Sequence, residues 1–309
     1  MAEPAGAARA PHRLVYLGTP EASVPPLRAL VAAGFDVALV VTRPDKRRGR
    51  RGDLSPSPVK AAALDLGLAV SHDVDDVLAT GADLGVVVAF GRLIKPHVLA
   101  ALPMVNLHFS LLPRWRGAAP VERAILAGDE RTGVCVMEVV DELDAGGVYR
   151  RAELLVDGRT ADELRADLVD VGTELLVDTL RSGLGRPEPQ QGTVTYAEKI
   201  TPDDLRLDLS APAAHVAAVV RVGGAWTTFR EHRLKVWQVQ SAAEGSVPAE
   251  GALTTAGELA GPGGGAGPWV CTGSGWLELI EVQPEGRGRT DARSWWNGSR
   301  PAAGERLGS

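Results

Sequence analysis

Asn106, His108 and Ser110 stand two residues apart in the run Met104-Val105-Asn106-Leu107-His108-Phe109-Ser110. The run reads as a short buried strand, on which alternate side chains share a face. Asn106 and His108 would then lie roughly 6.5 Å apart on one face, at two rises of about 3.3 Å. Val105, Leu107 and Phe109 would take the other face. An amide beside an imidazole suits acyl transfer: the amide donates to a developing oxyanion, and the imidazole handles a proton. A core Asn and His capping a turn would give the same letters. The apolar run breaks into Leu111-Leu112-Pro113, so the polar face falls near the strand's carboxyl end, where open α/β sheets bind ligands.

A further set of candidates follows in Asp141-Glu142-Leu143-Asp144-Ala145-Gly146-Gly147. These carboxylates could hold magnesium, could form a solvated hairpin loop, or could supply Asp144 to orient His108 and stabilise its charge. Other chemistries find no support. The six histidines make no paired metal spacing, and neither Cys-x-x-Cys nor His-Glu-x-x-His occurs, so no metal is expected. No Gly-x-Ser-x-Gly elbow surrounds Ser110, and no Gly-Lys-Ser/Thr phosphate loop exists. Gly18-Thr19-Pro20-Glu21 lacks the glycine spacing of a dinucleotide site, so no nicotinamide or flavin is expected.

The elements that must position these groups alternate. Arg13–Leu17 is a strand, a helix follows to Ala33, and Phe35–Val41 is a nearly unbroken apolar strand of the kind buried on both faces of a parallel sheet. Further strands are expected at 68–70, 83–89, 104–109, 132–140 and 148–156, and helices at 59–66, 73–79, 95–102 and 118–127. Thr160 caps a long helix carrying Leu164, Leu168, Val171, Leu175 and Leu176 at helical spacing. This is the pattern of an α/β, doubly wound, mostly parallel Rossmann-like sheet. After Ser182 the texture changes. Ser210 can cap a helix from Ala211 to Val222. Short β runs at 226–230, 233–239, 251–255, 269–272 and 276–282 between Gly-rich turns then suggest a small β-barrel. The expected division is a disordered tail at 1–12, a first domain at 13–189, a linker at 190–206 and the barrel at 207–309.

The chain of 309 residues carries a net charge of −6, with 45% hydrophobic and 23% charged residues, as in ordinary globular proteins. A polyanion must therefore dock on a local basic patch. One exists: Arg43, Lys46, Arg47, Arg48, Arg50 and Arg51 lie within nine residues. The stretch shows no hydrophobic period and reads as a long mobile loop, either a solvated charge run or an arm for a phosphate backbone. Cys135 and Cys271 each sit in an apolar run and imply no disulfide framework. No stretch reaches transmembrane length and no signal peptide is evident, so a cytoplasmic protein without a membrane partner is expected.

Asn106-x-His108-x-Ser110-Leu111-Leu112-Pro113, with Asp144 in Leu143-Asp144-Ala145-Gly146, resembles the signature of the 10-formyltetrahydrofolate-dependent formyltransferases. SLLPRWRGAAP at 110–120 and TYAEK at 195–199 resemble the branch of that family that acts on methionyl-tRNA. Leu17-Gly18-Thr19-Pro20 and the tract from Pro44-Asp45 to Ser57-Pro58-Val59-Lys60 match it too. The tract Arg221–Trp226, RVGGAW, is shorter than the proline-containing one of the family. The resemblance implies a formyltransferase domain followed by an OB-like barrel that binds tRNA. It implies transfer of the formyl group of 10-formyltetrahydrofolate to the α-amine of methionyl-initiator tRNA; a monomer is expected. Asn106, His108 and Asp144 would be catalytic. Arg92, Leu93, Ile94, Val139 and Asp141 would line the folate pocket, with Ser110, Leu111, Leu112 and Pro113 beside the formyl group. The cations from Arg43 to Arg51 would contact tRNA. A formyltransferase for a small amine, such as a sugar nucleotide or glycinamide ribonucleotide, would share the catalytic set. A non-catalytic RNA-binding protein on the same fold would have no need of it.

Overall fold

The structure is a computed structural model and describes residues 10–47, 54–241, 255–262 and 267–308. The chain divides into two compact units. The first opens with β1 (Arg13–Gly18), α1 (Val24–Ala32) and β2 (Asp36–Val41). A small hairpin, β3 (Lys46–Arg47) and β4 (Leu54–Ser55), precedes α2 (Pro58–Asp65) and β5 (Val70–Ser71). Then come β6 (Leu84–Val88), α3 (Pro96–Ala101), β7 (Met104–His108) and the short β8 (Arg116–Gly117); α4 (Pro120–Leu126) follows in the chain but belongs from Glu122 onward to the second unit. The antiparallel pair β9 (Arg131–Glu138) and β10 (Val148–Leu155), the long α5 (Ala161–Arg181) and the short β11 (Tyr196–Ala197) complete the first unit.

The main sheet runs β10-β9-β7-β6-β1-β2-β5. The strands from β7 to β5 are mutually parallel, β9 is antiparallel to β7, and β10 is antiparallel to β9. The chain reverses its direction of winding at β1, which makes the doubly wound arrangement. Leu14 to Leu17 and Leu84 to Val88 are buried throughout, as strands covered on both faces require. Edge strand β10 instead alternates exposed and covered positions. Helix α5 buries Leu164, Leu168, Leu176 and Leu180, one face of a 3.6-residue period.

The basic stretch is not a plain loop at its base. Lys46 and Arg47 pair with Ser55 and Leu54. Asp45 binds the Lys60 ammonium at 2.8 Å, and Ser57 caps α2 by accepting from Lys60 N. Nothing apolar alternates here, so hydrophobic pattern could not reveal the hairpin. Arg48, Arg50 and Arg51 lie outside the described residues, as does most of the strand expected at 251–255.

The second unit contains α6 (Ala213–Val222), β12 (Trp226–Phe229), β13 (His232–Ser241), β14 (Leu259–Ala260), β15 (Trp269–Cys271), β16 (Trp276–Pro284), β17 (Thr290–Asp291) and α7 (Ala292–Ser299). Its antiparallel sheet runs β12-β13-β16-β15-β14, with β17 on β16. Val216, Val219, Leu234, Val236, Leu277 and Leu279 form the heart of its core. Phe229 and Trp295 meet edge-on at 5.2 Å, a geometry worth about 0.5–1.5 kcal/mol beyond burial. Ser210 does not cap α6 as expected. Its hydroxyl is drawn to Asp208 at 2.5 Å, and Pro212 takes the cap position with no side-chain bond. Helix α7 runs about two turns, with Asp291 accepting from Ser294 N.

Two stretches from the middle of the chain, Glu122–Asp129 and Asp157–Asp162, cluster with this second unit. Arg123 pairs with Asp204 at 2.8 Å, Leu126 packs on its core, and Arg221 donates to the Arg159 carbonyl. The supposed linker is also structured. Its first part belongs to the first unit, where Tyr196 and Ala197 pair with Arg116 and Gly117, and the remainder belongs to the second. Among the described residues no helix is long and apolar enough to cross a membrane.

Candidate active site

Strand β7 places Asn106 and His108 on one face, as the alternation requires. Directly opposite on β9 stand Met137 and Cys135. The loop after β9 returns over this face and carries Asp144 to both residues. Asp144 Oδ1 lies 3.5 Å from Asn106 Nδ2, and Oδ2 lies 3.6 Å from His108 Nδ1. Oδ2 also accepts the Gly117 N–H at 2.8 Å. The His108 side chain is 6% exposed and that of Asp144 13%, so little water screens the pair.

The other ring nitrogen is committed. His108 Nε2 is 2.9 Å from the Trp115 carbonyl, which can only accept, so Nε2 carries the hydrogen. Nδ1 is left to face Asp144 and is the nitrogen with freedom to act. Trp115 is held in turn: its N–H donates to Thr195 Oγ1 at 2.9 Å, and Ser110 Oγ donates to the Arg114 carbonyl at 2.6 Å.

Two glycines make the close approach possible. Gly117 has φ +120°, and a Cβ there would lie 2.8 Å from the Ala197 carbonyl oxygen. At Gly146 a Cβ would lie 2.0 Å from the Glu138 carbonyl oxygen. Any side chain at either position would push the Asp144 loop or the β8 turn off the imidazole. Asp144 itself adopts φ +48°, a left-handed conformation that Asp tolerates better than most residues.

The positions expected to hold folate divide. Ile94 is buried, and Val139 packs on the same apolar cluster, which includes Val87, Phe90 and Met104. Leu93, Val140 and Leu143 are large, apolar and exposed on the loops after β6 and β9. An apolar wall with exposed apolar side chains on its flanking loops fits a flat heterocycle. Arg92 donates to the His72 carbonyl at 2.8 Å and stands over the Phe90 ring, and Asp141 is exposed. Leu112 is 2% exposed and spent on a cluster with Cys135, Met137 and Val148. Its side chain therefore faces that cluster and not a ligand. Pro113 accepts from Thr195 N, which ties the loop down. Two surface hollows, of about 440 and 460 Å³, share no residue with this set. No cluster of three or more metal-ligating side chains occurs among the described residues.

Of the cations expected to meet tRNA, Arg43 donates to the Gly91 carbonyl, while Lys46 and Arg47 are exposed on the hairpin. Sequence reasoning missed a second cationic surface. On the C-terminal sheet, Arg206 and Arg233 flank the Trp226 ring at 5.6 and 4.2 Å. Lys235 and Arg289 flank Trp237 at 5.5 and 3.4 Å. Trp226 and Lys235 are register partners. The alternation Arg233, Lys235, Trp237 was the available signal, every second residue of one strand. It also missed Arg116 and Gln190, which support the Asp144 loop.

Residues 13–180 match the family described as formyl transferase, and residues 199–300 match the formyl transferase C-terminal domain. A methionyl-tRNA formyltransferase of Leifsonia xyli subsp. xyli is 43% identical over 305 residues, covering 93% of this chain and 97% of that protein. One from Symbiobacterium thermophilum is 39% identical over 315 residues, covering 96% and 95%. Among solved structures, an N-formyltransferase from Helicobacter canadensis, in complex with folinic acid and dTDP-3-aminofucose, superposes with a TM-score of 0.66. It is 13% identical and the match covers 88% of this chain and 99% of that one, a likeness of fold.

Proposed function

The chain belongs to the formyl transferase family, and on that premise we propose that it moves the formyl group of 10-formyltetrahydrofolate to the α-amine of methionyl-initiator tRNA. Full-length relatives at about 40% identity carry this activity in their names, whereas the sugar-nucleotide enzyme shares only the fold. The observation that carries the chemistry is the cluster of Asn106, His108 and Asp144 on one protected face.

A folate-type donor supplies the formyl group. The amine needs little activation, since a free α-amine has a pKa of about 7.7–8.0 and is partly neutral near pH 7. Asn106 Nδ2 donates to the oxygen of the formyl carbonyl as charge gathers there. His108 Nδ1, when it carries a proton, serves the same oxygen, or it takes the proton that the attacking nitrogen must lose; as the carbonyl re-forms, the bond from the formyl carbon to the folate nitrogen breaks and that nitrogen leaves carrying a proton. Asp144 holds the imidazole in register and compensates its positive charge. Ile94 and Val139 give the donor an apolar seat, with Leu93 beside it and Arg92 and Asp141 at its polar edge. Ser110 to Pro113 fix the loop against the reacting carbon.

Two basic surfaces support a tRNA partner on an acidic chain: the hairpin with Lys46 and Arg47, and the cation-flanked Trp226 and Trp237. Arginine and lysine over indole suit the combined phosphate and base faces of RNA. We take the enzyme to act as a cytoplasmic monomer. Purified protein given a formyl donor and either charged initiator tRNA, a sugar-nucleotide amine or glycinamide ribonucleotide tests the assignment. Formylation of methionyl-tRNA at least about 10³ times more efficient than of either small amine is expected. A preference for a small amine overturns it, and transfer to no acceptor at all leaves an RNA-binding role.

A further inference from the structure

We propose that Gln190 is a positioning residue for the reaction, one whose amide fixes the Asp144 loop in the geometry that His108 requires. This rests on the functional reading above. The side chain lies in the strand-poor stretch after α5, far from the catalytic residues in sequence. Its Oε1 accepts from Arg116 twice, Nε at 3.1 Å and Nη2 at 2.9 Å. Its Nε2 donates to the Asp144 carbonyl and to the Gly146 carbonyl, each at 2.8 Å. The orientation of this amide is determined from both ends. A guanidinium can only donate, so it must meet the oxygen, and backbone carbonyls can only accept, so they must meet the nitrogen.

The loop needs such a hold. Asp144 sits at φ +48°, outside the conformations that most side chains prefer. The loop's own turn bond, Ala145 N to the Glu142 carbonyl, is long at 3.3 Å. Gln190 grips the loop at the catalytic residue itself and at the glycine two positions on. Arg116 is 7% exposed, and its remaining nitrogen pairs with the exposed Glu142 at 3.0 Å. The permanent charge of Arg116 polarises the Gln190 amide and strengthens both of its donors. The backbone around Gln190 is anchored on two sides. Glu188 exchanges both backbone bonds with Val148, and Thr195 is bonded to Pro113 and Arg116. One short stretch thus fixes the Asp144 loop through Gln190 and fixes Trp115, the partner of His108, through Thr195.

Gln190→Glu is the sharp test, because a carboxylate keeps both bonds to Arg116 and loses both donors to the loop. In the apo protein, amide exchange of residues 141–147 should quicken about tenfold or more while the parallel strands are unchanged. In single turnover, formyl transfer should slow about 10- to 100-fold, since small misplacements of a catalytic group are costly. Dissociation constants for the formyl donor and for methionyl-tRNA should stay within about threefold. In an Asp144→Asn background the same change should cost less than about twofold, because groups acting through one another are not additive. A merely structural role predicts equal losses in both backgrounds, and that result overturns the proposal. So does wild-type exchange in the loop. Should Gln190→Glu fail to fold, Arg116→Lys keeps the charge but not the paired donors, so the amide loses its lock. It should show the same exchange signature, and its absence counts equally against the idea. If the wild-type protein formylates no methionyl-tRNA, the functional reading fails, while the exchange measurement still decides whether Gln190 holds the loop.

Discussion

Replacing Asp144 with Asn removes one charge and leaves the side chain's shape alone. The Asn oxygen must face the Gly117 N–H, which lies 2.8 Å from Oδ2 and can only donate. The new NH₂ then points at Asn106 Nδ2, 3.5 Å from Oδ1, so donor meets donor. The larger effect concerns His108. A unit charge 3.6 Å from Nδ1 interacts with an imidazolium by about 4.6 kcal/mol at an effective dielectric of about 20, and by half that if water penetrates more freely. If the imidazole is more positive in the transition state than at rest, losing this interaction slows transfer by about fifty- to two-thousand-fold. The fold should lose little, because the bond to Gly117 survives. Single-turnover quench measurements with the donor bound in excess isolate the chemical step from release. A folded variant within about fivefold of the wild-type rate would show that Asp144 does not act electrostatically on His108.

Asn106→Ala should lower the single-turnover rate by about 10²–10³ with donor binding retained, the usual effect of losing an oxyanion donor; retained rate refutes that role. His108→Ala should cost at least about 10²–10⁴ on the same assay. If four cations of the 43–51 arm meet phosphates, log K for tRNA should fall against log[salt] with a slope of roughly −3 to −4, and alanine at Lys46, Arg47, Arg48, Arg50 and Arg51 should flatten it. An unchanged slope would leave the Trp226 and Trp237 surface as the main anchor. The Arg123 guanidinium and Thr201 hold Asp204 at a pKa of about 2, below its ordinary 3.8. A depressed carboxylate contributes stability above its unfolded pKa and loses it as pH falls through the folded one. Wild type should therefore exceed Asp204→Asn in urea denaturation by less than about 1 kcal/mol from pH 5 to 8, since the pair is partly solvated. The gap should close from about pH 4 toward 2.

The parallel sheet was legible because its strands are buried on both faces and so are written as unbroken apolar runs, as at Leu84–Val88. The candidate face of β7 was legible because a two-residue period survives in Asn106 and His108, and Asp144 was placed through its resemblance to a known signature. Gln190 was not, since it recognises backbone carbonyls and these leave no letter in the sequence. The hairpin at Lys46–Arg47 was hidden for a related reason: with no buried face, its pairing has no hydrophobic period. Ser210 had the composition of a cap, but a carboxylate two residues away competed for its hydroxyl. Arg206 and Arg289 lie 83 positions apart, and only the folded sheet shows that both belong to indole-cation stacks.

The interleaving of the two units bears on how enzymes of this kind can be recombined. The chain changes unit at five points, after Val121, Asp129, Val156, Asp162 and Glu198. A chimera that exchanged only the portion after Glu198 would leave Arg123 facing a foreign counterpart of Asp204, and Leu126 facing a foreign core. Shuffling at the apparent boundary therefore splits one cooperative body across two parents. A working exchange must carry residues 122–129 and 157–162 as passengers with the C-terminal portion. For the same reason, substitutions in those two short stretches should drift in step with the C-terminal sheet rather than with the strands that flank them in sequence.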